Sequence, residues 1–243
     1  MTLQVLQSKA EIERAREKIS RRGLSTLESP LKLLARRSGL IRGVTVGDRL
    51  KSWDVEAALS FIQERLPKEA AIADLGCFAS EVLVSLHRAG YQDLTGIDLN
   101  EKVVEMPHHD AIKYRVSDFM RSSLPDASFD AITSISVIEH GFDSPRLLRE
   151  VSRLLKPNGY FIASFDYWPE KIDTTGVQFF NMSWLIFSRE DVQDMVREAA
   201  AHGLAPFGNL DFQATDRPIK CGGKQYTFAY IILQKGTGGP GHE

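Results

Sequence analysis

The chain has 243 residues and only two cysteines, Cys77 and Cys221. Two thiols cannot make a disulfide framework, which points to a reducing compartment. No apolar run approaches the roughly 20 residues that a membrane span needs. The first residues lack the apolar stretch of a secretory leader, so a cytoplasmic location is the expectation. Charge of one sign is missing as well: 30 Lys and Arg stand against 32 Asp and Glu, a net of −2. Nucleic acid would call for a basic excess, so it is not an expected partner. A P-loop, G-x-x-x-x-G-K-[ST], is absent. So is a full dinucleotide fingerprint, G-x-G-x-x-G, whose three positions here are Gly76, Phe78 and Glu81. A pyrophosphate needs bare backbone at those positions, and a Phe ring and a carboxylate oppose NAD and FAD. There is no internal repeat.

What is present is a strand–helix–strand unit. Ile72-Ala73-Asp74-Leu75-Gly76-Cys77 and Gly96-Ile97-Asp98-Leu99 are apolar runs that each deliver an acid near their end. A helix-like stretch from Glu81 to Ala89 lies between them and stops at Gly90. Open α/β sheets bind ligands at the carboxyl ends of their strands. Asp98 follows Asp74 by 24 positions, near the roughly 20-residue offset at which an acid reaches ribose hydroxyls. The ligand expected is therefore of adenosine type without a pyrophosphate. S-adenosylmethionine suits this loop, because it has no phosphate and its sulfonium cation favours nearby carboxylates.

An ordered series of segments resembles the class I S-adenosylmethionine-dependent methyltransferases. Asp74-Leu75-Gly76-Cys77 resembles their motif I and Gly96-Ile97-Asp98 their motif II. Ser117-Asp118-Phe119 resembles the adenine-contacting segment. Phe129-Asp130-Ala131-Ile132 through Ser136-Val137-Ile138-Glu139-His140 is similar to the fourth strand and its exit. Leu147-Leu148-Arg149-Glu150 with Leu154-Leu155-Lys156-Pro157-Asn158-Gly159 resembles the helix and turn before the fifth strand. The resemblance covers about residues 50–165. It departs from the family's Gly-x-Gly-x-Gly at Phe78-Ala79-Ser80. It implies a Rossmann-like α/β fold with a seven-stranded, mainly parallel sheet, helices on both faces and an antiparallel last strand.

The spacing predicts strands at 70–74, 94–98, 112–116, 129–134, 160–165, 207–213 and 225–233. Helices are predicted at about 80–89, 100–106, 144–156 and 188–202. A helical N-terminal cap occupies 1–50. Its first helix is opened by a capping-box pattern, Ser8 to Glu11, and its second by Ser29-Pro30. The charged remainder of the first helix reads as a solvated face. A third helix, started by Ser52 or Asp54, carries Val55, Leu59, Ile62 and Leu66 on one face. The methyltransferase domain is expected at 51–235, with an aromatic insertion at 166–187 that reads either as a satellite core or as a substrate lid. Residues 236–243 have the composition of a flexible tail.

The resemblance and the strand ends nominate the site residues. Asp74, Gly76, Cys77, Phe78, Asp98, Leu99, Asp118, Phe119 and Ser136 would hold S-adenosylmethionine. Asp98 has the lone pairs to accept both ribose hydroxyls. His140 is the candidate general base, with Asp166 and Tyr167 as rivals. Tyr167, Trp168 and Trp184 would contact the acceptor. His108-His109-Asp110 lacks metal-site spacing and reads as a surface loop, and no metal is expected. The expected activity is O-methylation of a small metabolite, sugar or glycan-linked acceptor, a homodimer being compatible with it. The rival reading is a non-catalytic S-adenosylmethionine-binding scaffold on the same fold.

Overall fold

A computed structural model describes residues 3–41 and 43–237. The chain enters the sheet at once through β1 (Leu3–Val5) and then forms α1 (Lys9–Arg21) and α2 (Pro30–Arg37). A 3-10 turn at Arg49–Lys51 leads into α3 (Ser52–Arg65). The N-terminal segment is thus woven into the main sheet rather than set upon it, because β1 pairs antiparallel with the last strand. The Ser8 side chain caps no amide of α1. Its hydroxyl donates to Glu11 Oε1 instead, at 3.0 Å.

The core alternates as expected: β2 (Ala71–Leu75), α4 (Val82–Arg88), β3 (Asp93–Asp98), a 3-10 turn at Glu101–Glu105, β4 (Ile112–Val116), β5 (Phe129–Ile135), α5 (Ser144–Leu154) and β6 (Leu155–Tyr167). All five residues of β2 are buried. That is what a central parallel strand covered on both faces requires. The hairpin β7 (Gln178–Phe179) and β8 (Met182–Ser183) follows, then α6 (Arg189–Ala201), β9 (Leu204–Pro206), β10 (Ile219–Cys221) and β11 (Lys224–Lys235). Ser188 and Asp191 complete the reciprocal capping box of α6.

The sheet order is β1-β11-β6-β5-β2-β3-β4, with β9 and β10 also on β11. β2 to β6 are mutually parallel and β11 runs antiparallel. The expected Rossmann-like α/β arrangement is therefore present. The described residues differ from the expected seven strands at the β11 edge. The strand expected at 207–213 lies at Leu204–Pro206, and β1 and β10 were not anticipated. No described helix is long and apolar enough to cross a membrane. Of the expected tail, residues 238–243 lie outside the described residues.

Candidate active site

Asp74 is the fourth residue of β2 and is 1 % exposed. Its Oδ1 accepts from the Thr133 hydroxyl of β5 at 2.7 Å, while its Oδ2 is buried without a partner. Burial pushes its pKa up to about 7. The chain then turns at Gly76 with φ +71°, where a Cβ would stand 2.5 Å from the Val137 methyls. A left-handed backbone under a neighbouring side chain admits only glycine. Cys77 is buried, and burial pushes its thiol up, so it packs rather than reacts. The Phe78 amide donates to Asp98 Oδ2 at 2.9 Å, and Asp98 Oδ1 accepts from Asn100 N at 2.7 Å. Asp98 thus fastens the loop after β2 to the loop after β3.

Beside Asp98 the surface is apolar. Leu99 is 55 % exposed and Val116, which pairs with Asp98 across the β3–β4 register, is 48 % exposed. Phe119 is nearly buried. Asp118 accepts from Met120 N at 2.8 Å in an Asx turn and from Arg146 at 3.3 Å. An orphaned buried oxygen on Asp74, a half-exposed ribose-type acid and uncovered apolar side chains fit S-adenosylmethionine. Glu81, the third position of the dinucleotide pattern, is 1 % exposed. Asp98→Ala should weaken S-adenosylhomocysteine binding by roughly 1.5–3 kcal/mol, the range for hydrogen bonds to a charged group. An unchanged Kd in a titration would remove Asp98 from the site.

Glu81 is paired from the N-terminal segment. Arg16 donates to both of its oxygens, through Nη1 at 3.0 Å and through Nη2 in a shorter contact. Arg16 also donates to the Ser52 hydroxyl at 2.9 Å and to the Asp48 carbonyl at 3.2 Å. The Thr26 hydroxyl donates to Glu81 at 3.0 Å. Gly47 N donates to the Ala79 carbonyl at 2.9 Å. Ala79 itself sits at φ +62°, a conformation that costs a non-glycine residue roughly 1–2 kcal/mol. Contacts from the N-terminal segment thus hold a loop shape for which Phe78-Ala79-Ser80 has no glycine. The face of α1 expected to be solvated therefore contains a buried arginine.

One strand over, at the ends of β5, β6 and β11, lies a second polar cluster. Asp54, read above as a candidate helix start, is fully buried in the first turn of α3. Its Oδ2 accepts from Ser164 at 2.7 Å and from Ser136 at 3.4 Å. Burial raises its pKa to about 6. Ser136, at φ +53°, also accepts from Lys51 Nζ at 2.6 Å, and that ammonium lies 3.8 Å over the Phe228 ring. Glu139 is 1 % exposed and Asp166 4 %. Burial, and for Glu139 also the charge of Asp166, pushes both carboxyls above the usual range against the pull of Lys51. Asp166 Oδ2 accepts from Trp184 Nε1 at 2.7 Å, whereas Asp166 Oδ1 and Glu139 Oε2 are buried without partners. Burial and then Lys51 lower His140 to about 4, so its imidazole is neutral at pH 7. The His140 ring meets Phe179 at 6.0 Å and the exposed Phe180 at 5.4 Å.

The predicted residues thus separate. Asp74, Gly76, Phe78, Asp98 and Leu99 cluster at the carboxyl ends of β2 and β3, with Asp118 and Phe119 on the loop after β4. Ser136, His140, Asp166 and Trp184 come together at the ends of β5 and β6. Tyr167 requires correction: it is fully buried in the main core, and its hydroxyl donates to the Phe212 carbonyl at 2.9 Å. Successive residues of a strand face opposite sides, so Asp166 and Tyr167 cannot share a site. Trp168 packs on the satellite core under the Arg217 guanidinium, 4.0 Å away. The insertion is largely that satellite core, since Trp184 and Ile186 pack with Leu6, Ile12, Tyr226 and Phe228. The His108 ring lies 4.8 Å from that of His87. Among the described residues no group of three or more His, Cys, Asp or Glu could hold a metal ion. Lys51, Asp54 and Arg16 were not anticipated.

Residues 73–163 match the family described as Methyltransferase domain. The chain is 25% identical over 156 residues to a sterol 24-C-methyltransferase of Neurospora crassa, covering 61% of this chain and 41% of that protein. It is 32% identical over 114 residues to a ubiquinone biosynthesis O-methyltransferase of Xanthomonas axonopodis pv. citri, covering 44% and 47%. The matches therefore span less than half the length of these curated relatives. A Burkholderia thailandensis 1,6-didemethyltoxoflavin-N1-methyltransferase, solved with 1,6-didemethyltoxoflavin and S-adenosylhomocysteine, superposes with a TM-score of 0.55 at 15% identity, covering 75% of this chain and 78% of that one. The segment from β2 into β6 thus matches a methyltransferase domain and has the class I S-adenosylmethionine-dependent methyltransferase fold.

Proposed function

We propose that the chain transfers the methyl group of S-adenosylmethionine to an oxygen of a small metabolite, sugar or glycan-linked acceptor. The observation that carries this reading is the unpartnered Asp166 Oδ1, buried on β6 with β5 between it and β2. Asp74, Asp98 and the Leu99–Val116 surface would hold the cofactor, which supplies an electrophilic sulfonium methyl when bound. Alignment of acceptor and methyl contributes much of the acceleration. A carboxylate whose pKa is raised by burial is a better base than a free aspartate, and Asp166 would take the hydroxyl proton. His140, neutral and weakly basic, forms an acceptor-side wall with Trp184 and Phe180.

An oxygen acceptor is favoured because the exit of β5 lacks the Asn/Asp-Pro-Pro-Tyr/Phe sequence of amino-group methylation. Labelled-methyl transfer to a panel of matched alcohols, phenols and amines tests the reading. Label should enter alcohols or phenols. Transfer confined to amines would overturn the choice of atom. Tight cofactor binding with no transfer to any class would favour the scaffold.

A further inference from the structure

We propose that α2 and the turn after it dock the chain on the surface of an anionic phospholipid bilayer. The cofactor edge and the acid cluster use neither. Leu31 is 80 % exposed, Leu34 65 % and Leu40 82 %. Leu31 and Leu34 stand three apart on α2 and share a face. The helix that presents them is built to persist, with Pro30 at its start and the Ser29 hydroxyl accepting from Lys32 N at 3.3 Å.

The charge of the sequence that carries these leucines is nearly of one sign. From residue 29 to residue 47 the sequence has Lys32, Arg36, Arg37 and Arg42, and no acid. The nearest carboxylate, Glu28, accepts from Arg36 Nε at 3.0 Å and pairs with Lys32 at 3.4 Å. These partners hold it at about 2, so it stays charged. One acid against four bases leaves the segment positive in a chain whose net charge is −2. The positive charge is therefore a local property of this stretch of sequence.

Three observations select the occupant. A second copy meeting this face about a two-fold axis would set like charges against each other. Nucleic acid would use the bases but leave three protruding leucines in water. An anionic bilayer takes both, with leucines at the acyl boundary and Lys and Arg among the headgroups. One eight-residue helix gives weak, reversible, salt-sensitive association, not insertion.

The test is sedimentation of the full chain with vesicles of phosphatidylcholine alone and with about one third phosphatidylglycerol, a strongly anionic surface. The protein should pellet with the anionic vesicles only, and added salt should release it as charge is screened. Leu31→Ser/Leu34→Ser/Leu40→Ser should lower the partition coefficient at least tenfold while S-adenosylhomocysteine affinity stays the same. The single Leu40→Ser variant should show a smaller loss in the same direction. Absence of wild-type pelleting, or equal pelleting of wild type and both variants, would overturn the proposal. So would a concentration-dependent dimer, seen by analytical ultracentrifugation, that the leucine variants abolish while vesicle binding persists.

Discussion

Asp166→Asn should lower kcat by roughly 10²–10⁴, the usual contribution of a positioned acid–base group. Asparagine has nearly the same volume, and its carbonyl can still accept the Trp184 N–H that Asp166 Oδ2 accepts at 2.7 Å. Packing is kept and only the proton acceptor is removed. S-adenosylhomocysteine affinity should therefore hardly change. The pH profile gives a second readout. A base must be ionised to act, and burial raises the Asp166 pKa. The wild-type rate should rise with pH through a midpoint above the usual aspartate range, and that limb should vanish in the variant. His140→Gln should cost less than about tenfold, because an imidazole held at about 4 is a weak base. A rate within threefold of wild type for Asp166→Asn, with a hundredfold loss for His140→Gln, would move the proton to the imidazole.

Arg16→Ala should destabilise the protein by about 3–5 kcal/mol, the cost of leaving one partner of a buried ion pair uncompensated. Arg16 and Glu81 side chains are 6% and 1% exposed, so solvent screens the orphaned carboxylate little. For a chain of this length that is a Tm lower by roughly 6–20 °C. The same variant should bind S-adenosylhomocysteine more weakly, because Glu81 closes the loop that begins at Gly76. Arg16→Ala/Glu81→Ala should recover part of the Tm, having no buried unpaired charge, yet keep the weakened affinity. A Tm change under about 2 °C for Arg16→Ala would show that the pair carries little stability and that β1 and α1 hold the N-terminal segment unaided.

The parallel centre of the sheet was legible because its strands are short apolar runs ending at turn residues. Local pattern suffices there, and the acids at 74 and 98 follow from it. The β11 edge was not legible: β1 is three residues that pair with Ala229–Ile231, a partner more than 220 positions away. Arg16 left a signal that went unread. It lies between Ala15 and Ile19 on the Ile12 face of α1, and those three residues are buried with it. An arginine inside an apolar stripe needs a buried partner. Tyr167 left one too, since placing Asp166 at the acceptor side turns the next residue away. Lys51 and Asp54 left none. Their meeting with Ser136, Ser164 and Asp166 depends on how α3 crosses the sheet, which no local pattern records.

In the function proposed here, the carboxyl ends of β2 and β3 hold a phosphate-free adenosyl ligand. Calorimetric titration of the wild-type chain with S-adenosylhomocysteine and, separately, with NADH tests it most directly. The wild-type chain should show saturable one-site binding of S-adenosylhomocysteine and no heat of binding from NADH. Binding of NADH with silence from S-adenosylhomocysteine would contradict it.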